Sequence, residues 1–187
     1  MKKIFTVILL LIISCKSHYS EHSNSLIKEC LKDHKNISFQ GIRDFSIYNT
    51  YENIEKILIK ENRIKKGEKK TYINLLKLIQ TDKKLKLKLK ESIKREVKNY
   101  DLLDEPSIGQ SPFNCVRYCL NNGEIKMSNS LKKHKKAYDD ILKSLILDDV
   151  SSNIKFIEST PDNLFKYFDF RLPVLALIYL NLTYDDE

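Results

Sequence analysis

The side chains of this chain that could do chemistry are few, and four of them are cysteines. Cys115 and Cys119 are four residues apart, so they would share one face of a helix. A zinc site built on such a pair needs a second pair of thiol or imidazole ligands close by. The sequence has no second pair near them, and the histidines are distant along the chain. The spacing therefore predicts small apolar side chains on a buried face, with no metal site.

The histidines have no sequence setting that marks a catalytic base. His34 follows Cys30 by four residues, a spacing that a thiol and its base could share, but no other residue nearby supports that role. His34 and His134 fall on apolar helical faces, where a structural histidine is the expected role. His18 and His22 have the same spacing within a polar segment that offers no third metal ligand.

Other catalytic patterns are also missing from the sequence. Four scattered glycines form neither a phosphate-binding loop nor a tight turn around a nucleophilic serine. Adjacent acidic residues occur at 139–140, 148–149 and 185–187, but charged residues make up 31% of the chain, so such pairs are expected on solvated faces. We therefore predict that the protein is not an enzyme and holds no cofactor.

Basic residues form two dense groups, within residues 83–95 and within residues 132–136. On helices they would make positive surfaces that attract sulfated glycans, anionic lipid headgroups or acidic proteins. The alternative is that lysine simply solvates the helices of a lysine-rich chain. The candidate polyanion-binding residues are Lys83, Lys84, Lys86, Lys88, Lys90, Lys94, Arg95, Lys132, Lys133, Lys135 and Lys136.

The first fifteen residues have the composition of an export signal. Lys2 and Lys3 precede a mainly apolar run over residues 4–13, and the small residue Ser14 comes before Cys15. The run is shorter than the roughly 20 residues that span a bilayer, but it suits the apolar region of a signal peptide. We predict cleavage after residue 14 and lipidation of Cys15.

The junction Leu11-Ile12-Ile13-Ser14-Cys15 resembles a bacterial lipobox, in the looser form of surface lipoproteins from spirochaetes of the Lyme type. The resemblance covers these residues and a Lys-, Ile- and Asn-rich composition, and it identifies no particular family. It implies a palmitate-type diacylglyceryl group on the Cys15 sulfur and an acylated amine. Several acyl chains give stable membrane anchoring where one chain is marginal.

The same resemblance implies a function and a location. We expect an exported lipoprotein, anchored at the outer membrane surface, that binds a host or vector macromolecule or acts as a surface antigen. A host protein or a sulfated glycan is the expected partner, and nucleic acid is not. The alternative is a periplasm-facing envelope lipoprotein with a structural or assembly role.

Lipidation of Cys15 would leave three cysteines, and an odd number permits at most one internal disulfide. Cys30 could pair with Cys115 or with Cys119, and the sequence leaves both pairings open. Cys115 and Cys119 could meet each other only with strain.

The remaining chain is predicted to be one all-α domain. Residues 1–14 are the signal, 15–25 the lipidated cysteine with a flexible tether, and 26–187 a compact domain of seven to eight helices. Four glycines, four prolines and many Leu, Ile, Lys and Glu residues favour helices over a β-sandwich. Loss of the signal leaves 173 of the 187 residues, enough for one sizeable core.

Apolar periodicity predicts where the helices lie. Residues 84–90 alternate Lys and Leu like a strand, but Leu85, Leu89 and Ile93 share a helical face, so we predict a helix over 82–103. Leu87 would then need a contact away from that face. The other predicted helical segments lie at 26–35, 50–64, 70–79, 112–120, 129–146, 151–157, 161–168 and 173–182, with residues 104–110 as a loop. The cations and glycine of residues 65–67 are typical of a helix end, so they would end the second helix. The segment at 70–79 is apolar on more than one side and the segment at 173–182 is mainly apolar, so both are expected to pack in the core.

Overall fold

The computed structural model of the chain describes residues 22–34, 46–97, 106–144 and 149–183. These residues form nine helices, eight of them with at least seven residues, and no strand occurs within these ranges. The predicted single all-α domain is therefore confirmed. The predictions for the signal peptide, Cys15 and His18 lie outside the described residues.

The helices in chain order are α1 (22–33), α2 (Ile47–Lys60), α3 (Lys69–Thr81), α4 (Lys83–Glu96), α5 (Pro106–Leu120), α6 (Asn129–Ser144), α7 (Val150–Ser159), α8 (Asp162–Phe165) and α9 (Phe168–Thr183).

Helix α9 lies at the centre of the fold. Its side chains are buried on every side, and it packs against α2, α3, α4, α5 and α8. A helix that is apolar all round is stable only when other elements surround it. The predicted burial of this segment is confirmed. The second helix with apolar residues on more than one side, α3, buries only one face and leaves Leu78 47% exposed.

Two helices begin earlier than the sequence predicts, and in both cases the predicted start is a proline. Pro112 lies inside α5, which begins at Pro106, and Pro173 lies inside α9, which begins at Phe168. Proline removes one helical hydrogen bond and usually occupies the first turn. Both rings are buried, so the apolar surface they remove from water offsets part of that loss. The predicted loop over 104–110 is wrong from residue 106 onward.

Helix α1 begins at residue 22, four residues before the predicted start, so the expected tether over 15–25 is too long at its end. Ser23 is only 4% exposed, and its hydroxyl donates to the Lys126 carbonyl at 3.0 Å. This contact lies 103 residues away in sequence, which is why local composition did not predict it.

Helix α2 ends at Lys60, not near Gly67 as the lysine-glycine pattern predicted. Asn62 adopts a left-handed conformation with φ 55°, and the Arg63 N–H donates to the Leu58 carbonyl at 2.9 Å. This arrangement is a Schellman motif in which Asn replaces the usual Gly. Gly67, with φ 74°, instead makes the turn before α3.

Residues 83–96 are helical, which confirms the choice of helix over strand for the Lys-Leu alternation. Asp82 caps the helix by accepting from the Leu85 N–H at 2.9 Å. The helix ends at Glu96 because Val97 is extended, so the predicted end at 103 is too late. Leu87 is 60% exposed, so it does not obtain the extra contact expected for it.

A buried ion pair joins α2 and α9. Arg171 Nε donates to Glu55 Oε1 at 2.6 Å, and the Tyr72 hydroxyl on α3 donates to the same oxygen at 2.5 Å. Arg171 also donates to the carbonyls of Phe165 and Lys166. Because these partners satisfy both buried charges, the pair fixes how three helices meet rather than adding much net stability.

Candidate functional site

The basic residues of 83–95 cover the solvent-exposed side of α4. The helix buries Leu85, Leu89 and Ile93 against its neighbours, which are α2, α3 and α9. Seven cations, the exposed Leu87 and the carboxylates Glu91 and Glu96 occupy the rest of its circumference. We call this surface the α4 basic face, and it consists of Lys83, Lys84, Lys86, Lys88, Lys90, Lys94 and Arg95.

Carboxylates lie beside part of the α4 basic face. Lys88 Nζ lies 3.4 Å from Glu61 Oε2, and Arg95 lies 3.8 Å from Glu96 Oε1. Partial desolvation opposes ionisation of Glu61, but hydrogen bonds from Lys88 and Ser92 hold its pKa below the usual value. Within the described part of the chain, no ion pair is made by Lys83, Lys84 and Lys94.

The second basic group lies on α6, which packs against α5 and α7. Lys132, Lys133 and Lys136 are exposed, while Lys135 lies 3.5 Å from Asp139. The structure thus divides the candidate polyanion-binding residues between two helices with different packing partners. The α4 basic face carries seven cations and the α6 group four.

Cys30 on α1 and Cys119 on α5 form a disulfide, with their Cα atoms 5.7 Å apart. Of the two pairings that the sequence left open, the structure contains this one. Cys115 is a free, half-buried thiol. Burial and then the carboxylate of Asp169 raise the Cys115 pKa to about 11, whereas an activated cysteine nucleophile has a lowered pKa.

A histidine lies beside the disulfide. His34 follows Cys30 by one turn, and its ring meets the ring of Tyr118 edge-on with the centroids 4.7 Å apart. The two disulfide sulfurs and a ring nitrogen of His34 all lie within 4.8 Å of one another. Thiolate and imidazole are the donors that structural zinc sites use.

The free thiol belongs to the same neighbourhood. Cys115 and His34 both line one small cavity between α1 and α5, to which Asp169 and Tyr48 also contribute. The sequence suggested no metal site because Cys115 and Cys119 had no second ligand pair nearby. The fold places Cys30 and His34 opposite them, a relation that spacing along the chain could not reveal.

A wider depression of about 320 Å³ lies where α1, α6 and α8 begin. Lys126 and three serines line it, but the fold uses part of this polar lining. Ser23 donates to the Lys126 carbonyl, and Ser128 caps α6 by accepting from the Leu131 N–H at 3.2 Å. No motif in the sequence marks this depression.

His134 is fully buried between α6 and α7, in the core as the sequence predicted. Its Nδ1 lies 3.0 Å from Ser159 Oγ, which itself donates to the Phe156 carbonyl, so Nδ1 carries the imidazole proton. Nε2 has no hydrogen-bond partner among the described residues. Burial and then the charge of Lys69 lower the pKa of His134 to about 3, so it is neutral at physiological pH.

The described acidic pairs have structural roles. Asp139 lies 3.4 Å from Arg117 and 3.5 Å from Lys135. Asp149 caps α7, and hydrogen bonds from the Ser152 side chain and two backbone N–H groups hold its pKa below the usual value. Residues 148 and 185–187 lie outside the described residues.

The chain matches no protein-family model, no curated protein and no solved structure with which it was compared. Within the four described ranges, no helix combines the length and apolar character that a bilayer crossing requires.

Proposed function

We propose that this protein is a lipid-anchored, non-enzymatic bacterial surface lipoprotein whose helical domain binds an anionic macromolecule, with a sulfated glycan as the partner. The α4 basic face is the observation that carries the proposal. Seven cations project from one helix that carries only two carboxylates, Glu91 and Glu96.

The chemistry of this face suits an extended polyanion. A helix rises 1.5 Å per residue, so the 14 residues of α4 present their cations along roughly 20 Å. A sulfated chain can contact several of them together, and packing of α4 on three neighbouring helices holds the cations in place. The attraction is electrostatic and therefore weakens as salt screens it.

The anchor in this proposal rests on residues 1–15. The basic start, the apolar run and the Ser14-Cys15 junction agree with a lipoprotein signal, and their form resembles spirochaetal surface lipoproteins. Lipid on Cys15 would place the helical domain close to the membrane, within reach of an external polyanion.

The non-enzymatic part of the proposal is supported by the roles of the reactive side chains. His134 is buried and neutral, Asp139 is paired with two cations, and Asp149 caps a helix. These groups are used in holding the fold, which leaves none of them poised to transfer a proton to a substrate.

A heparin column tests the glycan partner. We expect K84Q/K86Q/K88Q/K90Q to elute at clearly lower salt than the unaltered protein. The matched control K132Q/K133Q/K135Q/K136Q removes the same charge from α6 and should shift elution less. Equal shifts would mean that only net charge matters, and unchanged elution of the α4 variant would refute a role for this face.

The anchor and the location have separate tests. Radiolabelled palmitate should label the protein but not its Cys15→Ala variant, and continued labelling of that variant would refute the anchor. Protease added to intact cells should degrade a surface protein. Full protection would instead support the periplasm-facing alternative.

A further inference from the structure

The cysteine–histidine cluster between α1 and α5 has the composition of a metal site as well as that of a disulfide. We propose that reduction of the Cys30–Cys119 bond converts this cluster into a site for one Zn²⁺ ion, with Cys30, His34, Cys119 and Cys115 as ligands. This inference is independent of the lipid anchor and of the α4 basic face.

The geometry of three of the ligands carries the proposal. The sulfurs of Cys30 and Cys119 and a His34 ring nitrogen lie within 4.8 Å of one another. Ligand atoms of a tetrahedral zinc site, with bonds of about 2.0–2.3 Å, are roughly 3.3–3.8 Å apart. Once the disulfide bond is broken, modest side-chain rotations bring these atoms to that spacing without moving either helix far.

The fourth ligand follows from the pairing of the two helices. His34 lies just past the end of α1, one turn after Cys30, and Cys115 and Cys119 are one turn apart on α5. Cys30 faces Cys119 through the disulfide, while His34 and Cys115 line the same cavity. Cys115 is not among the residues whose ligand atoms lie within 4.8 Å of one another, but it lines the cavity beside His34. Rotation of its side chain within that cavity would supply the fourth ligand of a Cys₃His site.

The donor set and its surroundings favour zinc over harder cations. Three thiolates and one imidazole are soft or borderline ligands, whereas Ca²⁺ and Mg²⁺ prefer oxygen. Cys119 is fully buried and Cys30 and His34 are partly exposed, so the ion has a path in from the His34 side.

The disulfide and the zinc site are mutually exclusive states. A dithiol reductant supplies two electrons and two protons to the Cys30–Cys119 bond and itself becomes a disulfide. The chain then holds three thiols, and Zn²⁺ binding releases their protons to solvent. A small-molecule disulfide acts as the oxidant in the reverse step: it accepts two electrons from the Cys30 and Cys119 thiolates and takes up two protons from solvent to become two thiols. The Cys30–Cys119 bond forms again, two ligands are lost and the ion is released.

Zinc titration of the full chain tests the proposal. The protein is reduced with a phosphine under anaerobic conditions, dialysed against Zn²⁺, and its bound metal is counted. We expect one ion per chain in the reduced state and none in the oxidised state. A stoichiometry of zero after reduction would overturn the proposal.

Two variants identify the ligands while leaving the disulfide able to form. His34→Ala and Cys115→Ser should each weaken Zn²⁺ binding at least tenfold, and His22→Ala, outside the cluster, should not. Unchanged affinity of His34→Ala would overturn the site, and unchanged affinity of Cys115→Ser would overturn the four-ligand assignment.

Thermal unfolding separates a built site from loose binding to thiols. Zn²⁺ should raise the Tm of the reduced protein but not that of reduced His34→Ala, since only a folded site couples metal to stability. The oxidised His34→Ala protein serves as the folding control and should unfold near the Tm of the oxidised parent. An equal zinc effect on both reduced proteins would contradict the site.

Discussion

At the scale of single residues, the buried pair of Glu55 and Arg171 shows how one side chain can hold several helices in register. Arg171 uses three nitrogens to reach Glu55 and two backbone carbonyls, and Tyr72 adds a donor from α3. Both charged side chains are at most 3% exposed. Because both side chains are buried, neither charge can become hydrated when its partner is removed.

We therefore expect Glu55→Gln to lower the free energy of unfolding by about 3–5 kcal/mol, because it leaves the Arg171 charge buried and unpaired. Urea unfolding followed by circular dichroism measures this loss. Glu52→Gln on the same helix is the control. It breaks only the exposed pair with Lys56 and should cost about 0.5 kcal/mol or less. Similar losses for both variants would contradict a structural role for the buried pair.

His134 should make the fold sensitive to acid. Its folded pKa of about 3 lies below the unfolded value of 6.5, so between these pH values the unfolded chain binds more protons than the native one. Stability is then fully present above pH 6.5 and decreases as the pH falls toward 3. The measurement is the unfolding free energy from pH 7 to 4, compared between the parent and His134→Leu.

The carboxylates contribute to both proteins in that titration, so the difference between the two curves isolates the imidazole. The curve of His134→Leu should be flatter. Parallel curves would mean that protonation of His134 is not coupled to unfolding.

At the scale of the helix, α4 is the clearest case in which the sequence admitted two structures. On a strand, Leu85, Leu87 and Leu89 would lie on one face, whereas on a helix Leu87 separates from the other two. The structure buries Leu85 and Leu89 and leaves Leu87 60% exposed. Alanine substitutions therefore distinguish the two structures by stability alone.

We expect Leu89→Ala to cost about 2–5 kcal/mol, because it leaves a cavity against neighbouring helices. Leu87→Ala should change stability by about 0.5 kcal/mol or less, because it removes an exposed side chain. Chemical denaturation measures both. Comparable losses at the two positions would contradict the helical packing of α4.

Helix boundaries were harder to predict than helix positions, and the errors have local physical causes. Proline is favoured in a first turn, so Pro112 and Pro173 predicted starts, yet both lie inside helices where tertiary burial outweighs the lost hydrogen bond. The sequence does not mark Asn62 as the end of α2, because Asn adopts the left-handed conformation less often than Gly.

At the scale of the whole molecule, the composition and apolar periodicity were enough to predict an all-α domain with a buried final helix. The sequence also predicted that the basic residues of 83–95 form a positive surface on a helix, and they lie on the exposed side of α4. Composition and periodicity did not predict that Cys30 and His34 face Cys115 and Cys119. That relation depends on which surfaces of α1 and α5 meet. The spacing of neighbouring residues cannot predict a contact between residues that are 89 positions apart in the sequence.

The disulfide closes a loop over that 89-residue separation, so it restricts the unfolded chain more than it changes the native one. We expect Cys30→Ser in the metal-free protein to lower the free energy of unfolding by about 2–5 kcal/mol, through greater freedom of the unfolded chain. Cys115→Ser, which leaves the bond intact, should cost much less because its side chain is only half-buried. Unfolding in chelator under non-reducing conditions measures both variants.

Unfolding curves recorded with a reductant provide a further control. Reduction should destabilise the parent protein but not Cys30→Ser. If reduction lowered the stability of both proteins equally, the Cys30–Cys119 bond would not be the source of that stability.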